Sequence, residues 1–248
     1  MISLKSAGEL AKMRAAGRIV AQVLKCLGAA LENGISTNEL DKLAKDLIEK
    51  SGAKAAFFGY KGYPKNICIS INEAGVHGIP SKRRVRNGDI VSVDVGVEVD
   101  GYFADGAATF GVGNIPPHAK KLMQVTREAL RLGIEKALTD NRLSDISFAI
   151  QRHVEGEGFS VVKAFVGHGI GSSIHEDPPI PNYGPPNQGV KLKPGMTLAI
   201  EPMVNCGTSD VRILDDGWTA ITADKSLSAH FEHTIAITEN EPEILTKW

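Results

Sequence analysis

"SVDVGVEVDGYFADG", residues 92–106, alternates apolar and polar side chains about the pair Asp100-Gly101. Such alternation marks a strand with one buried face, and Asp-Gly is a preferred pair for a two-residue hairpin turn. The stretch therefore reads as a β-hairpin. Residues equidistant from the turn face one another, which sets Asp94 opposite Ala107 and Gly96 opposite Asp105. Alternate residues share a face, so Asp94 and Asp105 become diagonal neighbours, about 7–8 Å apart at the backbone. Val91, Val93, Val95, Val97 and Val99 form the other face, a plain core surface. Aspartate is depleted in strands and is rarely buried without a partner.

A weak internal repeat supplies partners. "RNGDIVSVD" (86–94) resembles "LKPGMTLAIE" (192–201), which matches Gly88 with Gly195 and Asp94 with Glu201. "YFADGAAT" (102–109) resembles "AHFEHTIA" (229–236), matching Asp105 with Glu232. "VHGIP" (76–80) resembles "IHEDP" (174–178), matching His77 with His175. Upstream, "STNELDKLAKDLIEKSGAK" (36–54) resembles "LSDISFAIQRHVEGEGFSV" (143–161), each a capped helix ending near glycine. The repeat points to two halves facing one site.

Carboxylates that share a partly dry site cannot all stay ionised unless protons or cations intervene. Asp94, Asp105, Glu201 and Glu232 would carry four negative charges, which a pair of divalent cations balances. His168, in the glycine-rich "VGHGIG", adds an imidazole where the backbone can approach a ligand closely. An oxygen-rich set with one nitrogen suits manganese, iron(II), cobalt or magnesium better than a thiolate zinc site. Two such ions would activate a water and polarise a carbonyl. Unrelated acids, each paired or exposed near a strand end, are the plainer alternative, and the matched positions weigh against it.

Elsewhere the pattern predicts a helix from the Ser6/Glu9 capping box to a stop at Gly34 and a second from Ser36 to Ser51. A short strand is expected at 67–71. A third helix is expected after Pro116 and Pro117 to about Leu138, and a fourth from about Ser144 to Gly156. Strands follow around 196–204, 211–222 and 230–238. No linker splits the 248 residues, so the expectation is one α+β domain over 1–248. The net charge of −1 gives no basic surplus for sequence-specific nucleic acid or an anionic membrane. Three scattered cysteines, Cys26, Cys68 and Cys206, form neither a disulfide framework nor a CxxC site. The polar N-terminal stretch lacks a signal peptide's apolar core, and no uncharged apolar run reaches the length of a membrane span. The expected compartment is cytoplasmic.

The motifs "GYPKNICISINE", "HGIP", "GDIVSVDVGVEVDGYFAD", "GHGIG", "IHEDP", "LAIEPM", "DGWT" and "SLSAHFEHTIAIT", in this order, resemble bacterial type I methionine aminopeptidases over essentially the whole chain. The resemblance implies the pita-bread fold: pseudo-twofold halves around a central antiparallel sheet, helices outside, and a dinuclear metal centre between the halves. It implies metal ligands at Asp94, Asp105, His168, Glu201 and Glu232, with Asp105 and Glu232 bridging. Several divalent ions, nickel and zinc included, would be tolerated. Glu201 would exchange protons with the attacking water, His175 would contact the scissile amide, and His77 the peptide just beyond it. Tyr60, Tyr63, Cys68, Ile174 and Trp218 would wall an apolar pocket for a methionine side chain, although isolated aromatics are more often ordinary packing.

By the same resemblance the substrate is the N-terminal Met of nascent peptides with a small second residue. The protein would act as a monomer with transient ribosome association. Three positions depart from that family: Ile174 where phenylalanine is common, Phe57 where some members carry cysteine, and Gly96 where threonine is frequent. Two rival readings share the fold: a proline-peptide hydrolase, which usually carries an extra N-terminal domain, and a non-catalytic binding module, which should have lost ligands.

Overall fold

The hairpin forms in the register that its sequence predicts. In the computed structural model, which describes residues 2–248, Asp94 pairs with Ala107 and Gly96 with Asp105. The turn residues Asp100 and Gly101 both take positive φ, 49° and 78°, as a type I′ turn requires.

In chain order, α1 (Ala7–Ala30) and α2 (Thr37–Lys50) precede β1 (Lys54–Ala55), a 3-10 turn at Tyr60–Gly62, β2 (Cys68–Ile71) and β3 (Ala74–Val76). The hairpin is β4 (Ile90–Val99) and β5 (Tyr102–Gly111), followed by α3 (Pro117–Glu135) and α4 (Leu143–Gly156). The remainder is β-rich: β6 (Ser160–Val161), β7 (Gly167–Gly169), β8 (Glu176–Ile180), β9 (Thr197–Ile200), β10 (Met203–Asn205), β11 (Val211–Ile213), β12 (Ala220–Thr222), β13 (Ser228–His230), β14 (Glu232–Ala236) and β15 (Glu243–Ile244).

The main sheet runs β1-β4-β5-β14-β9-β7-β8, with β2 also on β4 and β15 on β14. Its pairings are antiparallel. The order is symmetric about the β5–β14 seam: β4-β5 on one side mirrors β9-β14 on the other, and these are the strands that the sequence repeat matches. Gly88 and Gly195 each take positive φ, 95° and 88°, two residues before β4 and β9 begin. This is the pita-bread arrangement, mixed α and β with the halves meeting at the seam.

Each half has its own apolar core. On one side Val20, Val23, Leu24 and Leu27 of α1 and Leu40, Ala44 and Ile48 of α2 bury the valine face of β4. On the other, Leu122, Val125 and Ala129 of α3 and Ile146 and Ile150 of α4 bury Leu198, Ile200 and Ile235. Both first helices begin with complete capping boxes, Ser6–Glu9 and Ser36–Glu39, each worth about 1 kcal/mol. Pro117 opens α3 at its first turn, where the missing N–H is harmless.

Three helix ends differ from expectation. α1 stops at Ala30 rather than Gly34 because Leu31 is already extended and Gly34 and Ile35 exchange backbone hydrogen bonds with Val85. α3 stops at Glu135 rather than Leu138, where Lys136 and Ala137 close the last turn onto Gly133 and Ile134. α4 starts one residue earlier, at Leu143, because the Asp145 carboxylate accepts from the Arg142 N–H.

At Gly17 of α1 a Cβ would overlap the backbone carbonyl of Leu245, so helix and C-terminal segment meet backbone to backbone. Alanine is normally the better helix former by about 1 kcal/mol. Here Gly17→Ala is expected to destabilise by about 1–3 kcal/mol through overpacking, read as a lower urea midpoint.

Candidate metal centre and its cavity

Asp94, Ala107 and Glu232 lie in one row across β4, β5 and β14. The small side chain of Ala107 thus separates two carboxylates on neighbouring strands, which leaves room between them. Asp105 lies two residues from Ala107, on the same face. His168 of β7 and Thr234 of β14 both flank Ala199 of β9. Thr234 Oγ1 accepts the Asp105 N–H at 3.0 Å and lies 2.9 Å from Asp105 Oδ1, which pins that carboxylate. Glu201 directly follows β9, and its carbonyl accepts from Asn182 Nδ2 at 3.0 Å.

Single ligand atoms of Asp105, His168 and Glu232 lie within 4.8 Å of one another, the metal-binding grouping of this kind among the described residues. Glu201 adjoins them, with Oε1 3.5 Å from His168 Nε2. Asp94 completes the cluster across the hairpin; its Oδ1 is inaccessible and has no hydrogen-bond partner.

The imidazole is oriented by its neighbour. His168 Nδ1 lies 2.9 Å from the Gly169 carbonyl. A carbonyl only accepts, so Nδ1 carries the proton and Nε2 turns its lone pair toward Asp105 Oδ2 at 3.4 Å. Burial holds His168 neutral, its pKa lowered to about 4. A lone pair aimed at carboxylates is unfavourable without a cation between them.

The acids behave in keeping. Burial raises Asp94, Glu201 and Glu232 well above the ordinary carboxylate range, and the Asp105 charge adds to each. Asp105 rises to about 6, also through burial, with the Thr234 hydroxyl opposing. An orphaned carboxylate oxygen, a free imidazole lone pair and four strained acids fit a divalent cation centre. All five predicted ligands are brought together.

The cavity in front of them has a volume of about 170 Å³. Its walls include Tyr60, Tyr63, Cys68, His77, His175 and Trp218, all expected from the sequence. Tyr63 stands edge-on to Trp218, with centroids 5.0 Å apart. Burial pushes the Cys68 thiol up, so Cys68 is a small neutral wall and not a nucleophile. His77 comes from the end of β3 with φ 59°, a conformation uncommon outside glycine that favours a positional role. Its ring is edge-on to Phe165 and Trp218, and burial lowers its pKa.

His175 stacks on Tyr60 at 5.2 Å and lies 4.2 Å from His168, centroid to centroid. Its outer face is open to solvent, while crowding by protein on the inner face is the main cause that lowers its pKa to about 4. The loop that carries it is anchored at the next residue: Glu176 accepts from the buried Lys5 ammonium at 2.5 Å and from the Ser173 N–H.

Ile174 corrects the expectation. It is buried, 3% exposed, but does not line the cavity, because the bent segment before β8 turns its side chain into the protein while His175 stays exposed. Phe57 and Lys61 line the cavity without having been assigned to it. His230 was also missed. It is fully enclosed, its Nε2 lacks a hydrogen-bond partner and lies 3.9 Å from Glu201 Oε2, and burial lowers its pKa to about 3. Its spacing of two from Glu232 was the available signal.

No helix among the described residues is long and apolar enough to cross a membrane. The model for metallopeptidase family M24 matches residues 11–239. A methionine aminopeptidase of Clostridium perfringens is 53% identical over 246 residues, covering 99% of either chain. The crystal structure of a methionine aminopeptidase from Thermotoga maritima superposes with a TM-score of 0.99 at 48% identity, covering 100% of both chains. A prolidase from Pyrococcus furiosus, 23% identical, has a TM-score of 0.78 over 99% of this chain and 65% of its own, and shares the fold alone. With matching of this extent, the chain belongs to metallopeptidase family M24, whose members work with divalent metal ions.

Proposed function

We propose that this protein is a methionine aminopeptidase that removes the initiator methionine from chains with a small second residue. The observation that carries this reading is the cavity: about 170 Å³, with walls that include Tyr63, Cys68 and Trp218 and the clustered acids Asp94, Asp105, Glu201 and Glu232. An apolar, polarisable pocket suits an unbranched thioether. The high identity to methionine aminopeptidases supports the same activity.

Asp94, Asp105, His168, Glu201 and Glu232 would hold two divalent ions. The oxygen-rich set favours manganese, iron(II) or cobalt, with nickel, zinc and magnesium tolerated. Bound ions supply a nucleophilic water near neutral pH and polarise the scissile carbonyl.

The protein's own groups do the rest. Glu201, already raised by burial, takes a proton from the attacking water and returns it to the leaving amine. His175, neutral at physiological pH, donates an N–H to charge developing at the scissile carbonyl. His77 binds the peptide just beyond the scissile bond. Tyr60 stacks on His175, and Tyr63, Cys68 and Trp218 exclude water from the side-chain pocket. We read residues 1–248 as one catalytic domain, working as a cytoplasmic monomer on nascent peptides with transient ribosome association.

The protein should hydrolyse Met-Ala-Ser, lose activity to a chelator, and regain it with manganese, iron(II) or cobalt. Preference for an Xaa-Pro peptide would place it with the proline-peptide hydrolases instead. Glu201→Ala and His175→Ala should each lower kcat by about 100-fold or more. His175→Ala should retain its metal; release of the ions would make His175 a ligand. In the metal-free protein the contribution of Asp105 to stability should fall as pH rises through about 4 to 6, because Asp105, raised from 3.8 to about 6, holds its proton longer when folded. It is read as the difference in thermal midpoint between the protein and Asp105→Asn, since the buried histidines, lowered to about 4, act in the opposite sense. Adding a divalent metal should abolish this decline, as read by thermal midpoints across pH.

A further inference from the structure

Lys5 is buried far from any solvent that could hold its charge. Its side chain is 3% exposed and its ammonium lies 2.5 Å from Glu176 Oε2, with the Ser3 carbonyl at 3.4 Å. Lysine is almost never fully buried unless paired. A buried ion pair is also weak evidence for stability, because desolvation offsets the attraction. A local role explains it better, and the residue next to Glu176 is His175.

The main chain places Lys5 first. Ser6 and Glu9 form the capping box that opens α1, so Lys5 is the residue that enters the helix. Its N–H donates to the Gly195 carbonyl at 2.7 Å, just before β9. From there the side chain reaches the loop that joins His168 to His175. A Cβ at Gly171 would lie 2.6 Å from Lys5 Nζ and 2.7 Å from Glu176 Oε1, well inside ordinary contact. Gly171 does not adopt a positive φ. It is glycine because the ammonium and its carboxylate cross its bare backbone.

The loop is held on both sides of this crossing. The Phe103 N–H donates to the Gly171 carbonyl at 2.8 Å, which ties the loop to β5. Glu176 Oε1 accepts from the Ser173 N–H at 3.2 Å and from the Ser172 hydroxyl at 3.3 Å, which closes the turn. Its other oxygen faces Lys5. His175 precedes Glu176 and touches Tyr60 and His168 through its ring. Ring contacts of this kind orient a side chain but do not fix the backbone that carries it; the Lys5–Glu176 pair does.

We infer that Lys5 is a positioning residue for the reaction: through Glu176 it holds the 171–176 loop so that the His175 ring stays against Tyr60 and faces the cleft. The reaction that His175 serves rests on the aminopeptidase reading. The pair also links the halves, since the entrance of α1 in the first half sets the geometry of a side chain in the second.

The test is Lys5→Met, which keeps an unbranched stem and removes the ammonium, made in the parent and in His175→Ala. On the manganese-loaded protein, Lys5→Met should lower kcat for Met-Ala-Ser by about 10-fold or more. KM should change by less than about twofold, as for an interaction made in the transition state. In the His175→Ala background the same substitution should change kcat by less than about twofold, because the group it positions is gone. Equal losses of kcat in both backgrounds, or none in the parent, would overturn the inference.

A second readout needs no turnover. In the magnesium-loaded protein, stacking on Tyr60 displaces the His175 Hε1 resonance from the free-imidazole position, and Lys5→Met should return it toward that position. An unchanged resonance would overturn the assignment. Lys5→Met leaves the Glu176 carboxylate partly buried and unpaired, so Lys5→Met/Glu176→Gln, which removes both charges, carries the same expectations where the single variant does not fold. A wild-type protein whose His175 resonance responds to Lys5→Met but which does not cleave Met-Ala-Ser would remove the aminopeptidase reading and leave the positioning in place.

Discussion

Four carboxylates and a neutral imidazole share one dry cleft, and the rest of the molecule is arranged around that electrostatic problem. Burial raises every acid above its ordinary range, and the His168 lone pair points at them. Protons can relieve the repulsion only partly, whereas divalent cations relieve it fully and turn the cost of burial into affinity. The two halves each contribute two acids from equivalent strands, so cations held there would also join the halves across the β5–β14 seam.

Much of this was legible in the sequence because strands convert numbering into geometry directly. A two-residue turn at Asp100-Gly101 fixes the partner of each hairpin residue, and period-two alternation fixes its face. The repeat then transfers that geometry to Glu201 and Glu232. What could not be read depended on contacts distant in sequence. Ile174 sits next to an exposed histidine, yet its side chain belongs to the core. His230 gains meaning only when folding brings it to 3.9 Å from Glu201. The end of α1 was missed because a long-range pairing with Val85 competes with the helix for the backbone of Gly34 and Ile35.

Phe57 and Gly96 show how such contacts change a reading. Taken singly, each departs from the family pattern, and the glycine lacks the hydroxyl that a threonine would place there. In the structure they occupy one another's space, so neither can be interpreted alone.

Anomalous diffraction from crystals grown with manganese tests the central claim most directly. The account predicts anomalous peaks inside the cluster, bounded by Asp94 and Asp105 on one side and Glu201, Glu232 and His168 Nε2 on the other. Ions bound only elsewhere on the molecule, or a cluster that stays empty at saturating manganese while its carboxylates pair through shared protons, would contradict it.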